Sequence, residues 1–254
     1  MLAVSLYTYP TYATSAPVSA RGIVTNSGPG PKFDKATASS YNERWSKVAS
    51  LKDALHLCMR FVLADLPSDA HVLCVGVGTG AELFYLAEAF PRWRFTAVEP
   101  SSKMLDICRA RADEQGLGTR CEFHEGTIDT LPADGLYDAV TALLVSHYLG
   151  DRAARKAFFR ALSGRLRSGG ILINADLSAE IESDEFARMF ETWKSMLSFS
   201  GMSSEEIEKY SSNFSSGKTA IPAGDIEEIL TSSGFQQPIL FCQTLLIHAW
   251  YSTR

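Results

Sequence analysis

The chain has 254 residues, 46% of them hydrophobic and 21% charged, with a formal net charge of −5 and a pI near 5.6. This is ordinary globular material, long enough for one full α/β core with a modest excursion, and its acidic balance argues against nucleic acid as a partner. No apolar run reaches the roughly 18 residues that cross a bilayer, and the N-terminus lacks the basic-then-apolar arrangement of a secretory signal. A cytoplasmic protein with no membrane partner is expected. Cys58, Cys74, Cys108, Cys121 and Cys242 are scattered and never form a C-x-x-C pair, and His56, His71, His124 and His248 lack ligand spacing. Neither a disulfide framework nor a metal site is expected.

Residues 1–31 are rich in Ser, Thr, Ala, Tyr, Gly and Pro and end in Asn26-Ser27-Gly28-Pro29-Gly30-Pro31, which reads as a flexible N-terminal arm. One domain is expected over 32–254. Leu51, Leu55, Cys58, Phe61 and Val62 mark an amphipathic helix that ends before Pro67. Strands are then predicted at Val72–Val75, Arg94–Val98, Arg120–His124, Asp138–Leu144 and Ile171–Ala175. Helices are predicted between them at about Ala81–Phe90, Ser102–Gln115 and Asp151–Arg167, with Gly169-Gly170 as the stop before the fifth strand. Such alternation predicts a parallel sheet wrapped by right-handed crossovers. Arg152, Arg155, Lys156 and Arg160 fall near one face of the third of these helices, and read as a solvated outer surface opposite Ala154, Phe158, Phe159 and Leu162. After a helix over about Gly224–Ser233, the runs Gln237–Cys242 and Thr244–Tyr251 leave no room for a crossover. They predict a hairpin, and therefore one antiparallel strand in an otherwise parallel sheet.

The most informative stretch is Val72 to Glu82, VLCVGVGTGAE. A short apolar strand stops at Gly76-Val77-Gly78-Thr79-Gly80 and a helix begins at once, so the backbone can approach a nucleotide-like ligand beside the unpaired N–H groups of a helix start. Glu99 ends the second strand, nineteen residues after Gly80. An acid at that place suits a ribose with two free hydroxyls. The loop satisfies G-x-G-x-G, and with Ala81 it also satisfies the G-x-G-x-x-A fingerprint of dinucleotide-binding dehydrogenases.

In the order FDKATASSYNERW, VLCVGVGTG, VEPSSKML, EGTIDTLP, YDAVTALLVSHYL, LRSGGILI and a last helix ending in SSGF, the chain resembles class I S-adenosyl-L-methionine-dependent methyltransferases from about Phe33 to Tyr251. The resemblance implies a Rossmann-like α/β fold with seven strands, the last antiparallel. It implies S-adenosyl-L-methionine as cofactor, held by Gly76, Gly78, Gly80, Glu99, Met104, Thr127, Ile128 and Leu144, with Met104 and Ile128 on the two faces of the adenine. Two positions depart from the family pattern. The acid usual two residues before the first glycine is Cys74, and the Asp usual after Gly126 is Thr127. The nearest subgroup contains the bacterial carboxy-S-adenosylmethionine synthase, which the stretch Phe199 to Ile207 and the ending FCQTLLIHAWYS resemble. That synthase uses an arginine shortly before the glycine to hold a carboxylate, where this chain has Ser198 and, upstream, Lys194.

On the acceptor side, His147 follows the fourth strand at the rim where α/β sheets place ligands, in position to deprotonate an oxygen or to shape the pocket. The insertion 177–223 is expected to form a helical lid. Phe186, Met189, Phe190, Trp193 and Leu197 make one apolar stripe, and Ser203 with Glu206 makes a capping box for a second helix. Phe190 and Trp193 are candidate acceptor contacts, together with Tyr41. The leading expectation is methyl transfer to a small-molecule acceptor on oxygen, nitrogen or carbon, with a homodimer as the other partner considered. The alternatives are a carboxy-S-adenosylmethionine synthase-like transferase, an NAD-dependent oxidoreductase and a non-catalytic cofactor-binding protein. The oxidoreductase lacks a Tyr-x-x-x-Lys pair, while Cys74 and Thr127 favour the non-catalytic reading.

Overall fold

A computed structural model describes residues 46–133, 135–214 and 219–254. The arm at 1–31 and Tyr41 lie outside the described residues. In chain order the elements are α1 Ala49–Val62, β1 His71–Val75, α2 Ala81–Ala89, β2 Arg94–Glu99, α3 Ser102–Glu114, β3 Cys121–Glu125 and β4 Tyr137–Leu143. Then follow α4 Arg152–Arg165, β5 Leu166–Leu177, α5 Asp184–Phe199, α6 Ser204–Phe214, α7 Ala223–Thr231, β6 Gln236–Thr244 and β7 Ile247–Thr253.

The strands form a single seven-stranded sheet in the order β3-β2-β1-β4-β5-β7-β6. The pairs among β1 to β5 are parallel, and β7 runs antiparallel to both β5 and β6. The expected α/β class and the single antiparallel strand are therefore present. All seven residues of β4 are buried, because helices cover both faces of the sheet. Alternation then divides the core. Val72 and Cys74 pack with Leu55, Leu83 and Leu105 on one side, while Leu73 and Val75 pack with Phe159, Leu162, Ile226 and Ile229 on the other. Each such large apolar side chain contributes about 1.5–3 kcal/mol by leaving water.

Side-chain caps fix where helices begin. Ser101 accepts from the Met104 amide, Asp151 from Ala154 and Ser183 from Phe186. The Ser203 and Glu206 pair forms the reciprocal box its spacing predicts, Glu206 Oε2 accepting from the Ser203 amide at 2.8 Å and Ser203 Oγ from the Glu206 amide at 3.2 Å. No described helix is long and apolar enough to cross a membrane.

Three local expectations are corrected. Gly169-Gly170 does not stop α4, which ends at Arg165 as Leu166 turns extended. The pair lies inside β5 beside a register shift against β4, with Gly169 at φ +76°. Helix α4 is ended instead by strand pairing of Leu166 with Tyr137, and the Arg165 guanidinium, its last residue, ties down the carbonyls of Ile128, Leu131 and Pro132. The hairpin turn lies at Leu245-Leu246 rather than near Gln243, because Thr244 still pairs with Ile247. Arg155, assigned above to a solvated face, is only 2% exposed. It is in helical phase with Phe159 and Leu162 and so faces the sheet with them.

Candidate functional site

The parallel strands deliver the candidate residues to one edge. The glycine loop leaves β1, Glu99 ends β2, Gly126 to Ile128 follow β3, Leu144 to Tyr148 follow β4 and Asp176 is next to last in β5. β1 and β4 are neighbours whose connections leave in opposite directions, so the loop sits at the point where α/β sheets open a crevice.

Gly76, Gly78 and Gly80 all adopt left-handed φ values, +67°, +55° and +88°. At Gly76 a Cβ would stand 2.5 Å from Val145 Cγ2, so only glycine lets the loop pack against the segment that carries His147. Both Gly76 and Val77 donate to the Val98 carbonyl, at 2.8 and 3.1 Å. The loop is therefore fastened to the end of β2. Glu99 completes this joint, its Oε2 accepting from the Gly78 amide and its Oε1 from the Ser101 amide, each at 2.9 Å. Burial pushes the Glu99 carboxyl above its ordinary value, and the Ser101 and Gly78 amides pull it back. Met104 follows on the capped helix start, buried, and the Gly126 amide donates to the Glu99 carbonyl at 3.1 Å. Ile128 is buried, whereas Thr127 is exposed. The backbone of Thr127 is closed by Thr130, whose hydroxyl meets both its amide and its carbonyl.

Leu144 occupies a left-handed φ of +57° and is 1% exposed in the core. Its amide is held by the Ala175 carbonyl at 2.7 Å. A branched residue there is uncommon, and the packing that fixes it also turns the chain into the short helical turn Ser146–Tyr148. On this turn Ser146 Oγ donates to Asp176 Oδ2. His147 Nδ1 stands 3.1 Å from Asp176 Oδ1, with His147 5% exposed and Asp176 fully buried. Arg155 Nη1 approaches Asp176 Oδ2 at 4.0 Å. A carboxylate only accepts, so Nδ1 carries the hydrogen, and in the neutral ring the lone pair is on Nε2. His147 Nε2 is buried and has no partner among the described residues. An imidazole oriented by a carboxylate, with its other nitrogen left to accept, is the arrangement of a general base.

Asp176 and Ser146 were not among the residues singled out from the sequence, and Arg155 was read there only as part of a solvated face. The signals available were an acid within an apolar strand and an arginine in phase with the apolar stripe of its helix. Phe190 lies in a ring cluster with Phe186 and Phe214, at 5.2 and 5.1 Å between centroids. Trp193 is fully buried and donates from Nε1 to the Tyr210 hydroxyl at 3.1 Å, which fastens α5 to α6. In this arrangement Trp193 offers no surface to a ligand. No group of three metal-ligating side chains occurs among the described residues.

Residues 72–170 match the family model described as a methyltransferase domain. Those residues contain the glycine loop, Glu99 and His147. Over those residues the chain is similar to a methyltransferase domain. The chain is similar to the ubiquinone biosynthesis O-methyltransferase of Methylocella silvestris, 29% identical over 153 residues, covering 56% of this chain and 56% of that protein. It is also similar to the carboxy-S-adenosyl-L-methionine synthase of Campylobacter jejuni, 27% identical over 110 residues, covering 41% of this chain and 47% of that one. The chain thus spans about half the length of these curated relatives. In fold it superposes on mitomycin 7-O-methyltransferase with a TM-score of 0.60 at 18% identity, covering 87% of this chain and 58% of that one. The fold thus places the glycine loop and the His147–Asp176 pair on the same strand-end edge.

Proposed function

We propose that this chain is an S-adenosyl-L-methionine-dependent methyltransferase that methylates a hydroxyl of a small-molecule acceptor. The observation that carries the choice of oxygen is His147, buried beside the glycine loop, oriented by Asp176 and with Nε2 unpartnered. S-adenosyl-L-methionine, when bound, supplies a methyl group already activated on a sulfonium sulfur, so transfer to a hydroxyl leaves a thioether and one proton. The chain's residues then have definite tasks. Gly76, Gly78 and Gly80 offer a backbone without side chains. Glu99, a carboxylate with about four acceptor sites, spends two on Gly78 and Ser101 and keeps two for the ribose hydroxyls. Met104 and Ile128 hold the adenine, and Leu144 shapes the bend from which His147 projects. His147 Nε2 takes the acceptor proton, and Asp176 stabilises the charge that develops on the ring. Helices α5 and α6 close the acceptor side, with Phe190 facing the acceptor and excluding water. The five free thiols support residence in the cytoplasm.

The synthase alternative has weaker support. Lys194, the cation nearest the place where that enzyme holds a carboxylate, pairs with Glu191 at 2.7 Å. The test combines methyl-labelled S-adenosyl-L-methionine with a panel of phenols and alcohols. The wild type labels a subset, and His147→Gln loses on the order of 10²–10⁴ in turnover while cofactor affinity stays within about twofold. Equal turnover by the variant would remove His147 from the chemistry.

A further inference from the structure

Glu82 is a buried acid to which the proposed reaction gives no task. It sits in the first turn of α2, directly after the glycine loop, is 1% exposed, and its Oε2 has no hydrogen-bond partner among the described residues. A buried acceptor left without a donor costs about 1–3 kcal/mol. Burial accordingly pushes the Glu82 carboxyl above its ordinary value. Lys52 on α1, whose charge acts weakly on Glu82, stands 3.3 Å from Asp53.

The loop itself lacks an acid where the family resemblance implies one, because that position is Cys74. The Cys74 thiol is fully buried and its pKa is pushed well up, first by burial and then by the neighbouring Glu82, so it stays neutral. Glu82 and Cys74 thus flank the same glycine turn, one a carboxyl whose Oε2 has no hydrogen-bond partner among the described residues, the other a neutral thiol. Glu99 lies on the far side of the loop and is close enough to Glu82 for the two acids to repel. With Glu99 read as the ribose end, and the acceptor side at His147 beyond β4, a cofactor tail running along the loop would reach the start of α2.

We propose that Glu82 receives the α-ammonium of the cofactor's amino-acid tail, taking over from the first turn of α2 a task that Cys74 cannot perform on β1. An ammonium brings three donors and a positive charge to a carboxyl whose Oε2 has no donor among the described residues. This inference rests on the reading of the chain as an S-adenosyl-L-methionine-binding enzyme, and the experiment separates the two. Calorimetry is run on wild type and Glu82→Gln with three ligands: S-adenosylhomocysteine, its deaminated analogue, which keeps the carboxylate, and methylthioadenosine, which lacks the whole tail. The expected result is a loss of at least tenfold for S-adenosylhomocysteine in the variant, with the other two ligands within about twofold of wild type. Equal losses for all three ligands, or no loss for S-adenosylhomocysteine, would overturn the assignment of Glu82 and leave the cofactor reading standing. A wild type that binds none of the three would overturn both. Glu82→Ala, which removes the hydrogen-bonding amide as well, should show the same ligand selectivity, so a folding defect in one variant does not decide the matter.

Discussion

The buried pair behind His147 makes a quantitative demand on stability. Replacing Arg155 by Met removes a guanidinium that donates to the Thr219 carbonyl at 3.1 Å and the Leu149 carbonyl at 3.4 Å, and that stands 4.0 Å from Asp176. Hydrogen bonds from a charged donor contribute roughly 1.5–3 kcal/mol each, and breaking a buried ion pair from one side costs about 3–5 kcal/mol. These figures overlap, because the same stranded carboxylate enters both. Arg155→Met is therefore expected to cost about 3–5 kcal/mol in total, and Asp176→Asn a similar amount, since it takes from the buried guanidinium its opposite charge. Both fit within the roughly 5–15 kcal/mol of an ordinary domain, so each variant still folds. In the double variant no charge is stranded, and its loss should fall short of the sum of the two by at least about 1.5 kcal/mol. Urea unfolding followed by circular dichroism at neutral pH measures all four proteins. Additivity within about 0.5 kcal/mol would show that Arg155 and Asp176 do not act as a pair and would refute the argument.

Glu99→Ala should weaken S-adenosylhomocysteine binding by about 1.5–3 kcal/mol in calorimetry, because a charged acceptor is lost from the loop; an unchanged dissociation constant in a folded variant would remove Glu99 from the site. Gly80→Ala, at φ +88° with its Cβ placed 2.5 Å from Phe84 Cε2 and 2.7 Å from Cys108 Sγ, should cost at least about 2 kcal/mol by thermal or urea unfolding, and a neutral effect would mean that the turn tolerates a side chain. Glu82 has a pKa raised by burial, so its contribution to stability is full below the ordinary glutamate pKa and is lost as pH rises through the raised value. Without ligand, Glu82→Gln should therefore be more stable than wild type by about 1–3 kcal/mol at pH 7, with the difference gone below about pH 4; a variant that is less stable at both pH values contradicts this. Trp193→Phe deletes the bond to the Tyr210 hydroxyl and should cost about 1–3 kcal/mol, read by urea unfolding, with no change in cofactor affinity.

By itself the sequence determined what is local. The glycine turn, the acid at the end of the second strand, the capping box at Ser203 and Glu206, and the alternation of strand and helix are contacts between residues close in sequence, so spacing and residue type suffice to specify them. The parallel sheet with right-handed crossovers follows from the same alternation, whereas its strand order is decided by the tertiary structure, because doubly wound sheets share that alternation in more than one order. Even the antiparallel β7 was legible, because two adjacent strands with no crossover can only form a hairpin. The site behind His147 was not legible. Asp176 lies 29 residues from His147, in an apolar strand, and becomes its partner only because β5 pairs beside β4. Arg155 belongs by spacing to a row of basic residues that reads as solvated, and only the docking of α4 on the sheet turns that one member inward while Arg160 stays exposed. Helical periodicity defines a stripe but not its width. Whether a charge at the margin of the stripe is wetted or buried depends on what lies beneath it, and here that is a carboxylate supplied by a strand distant in sequence.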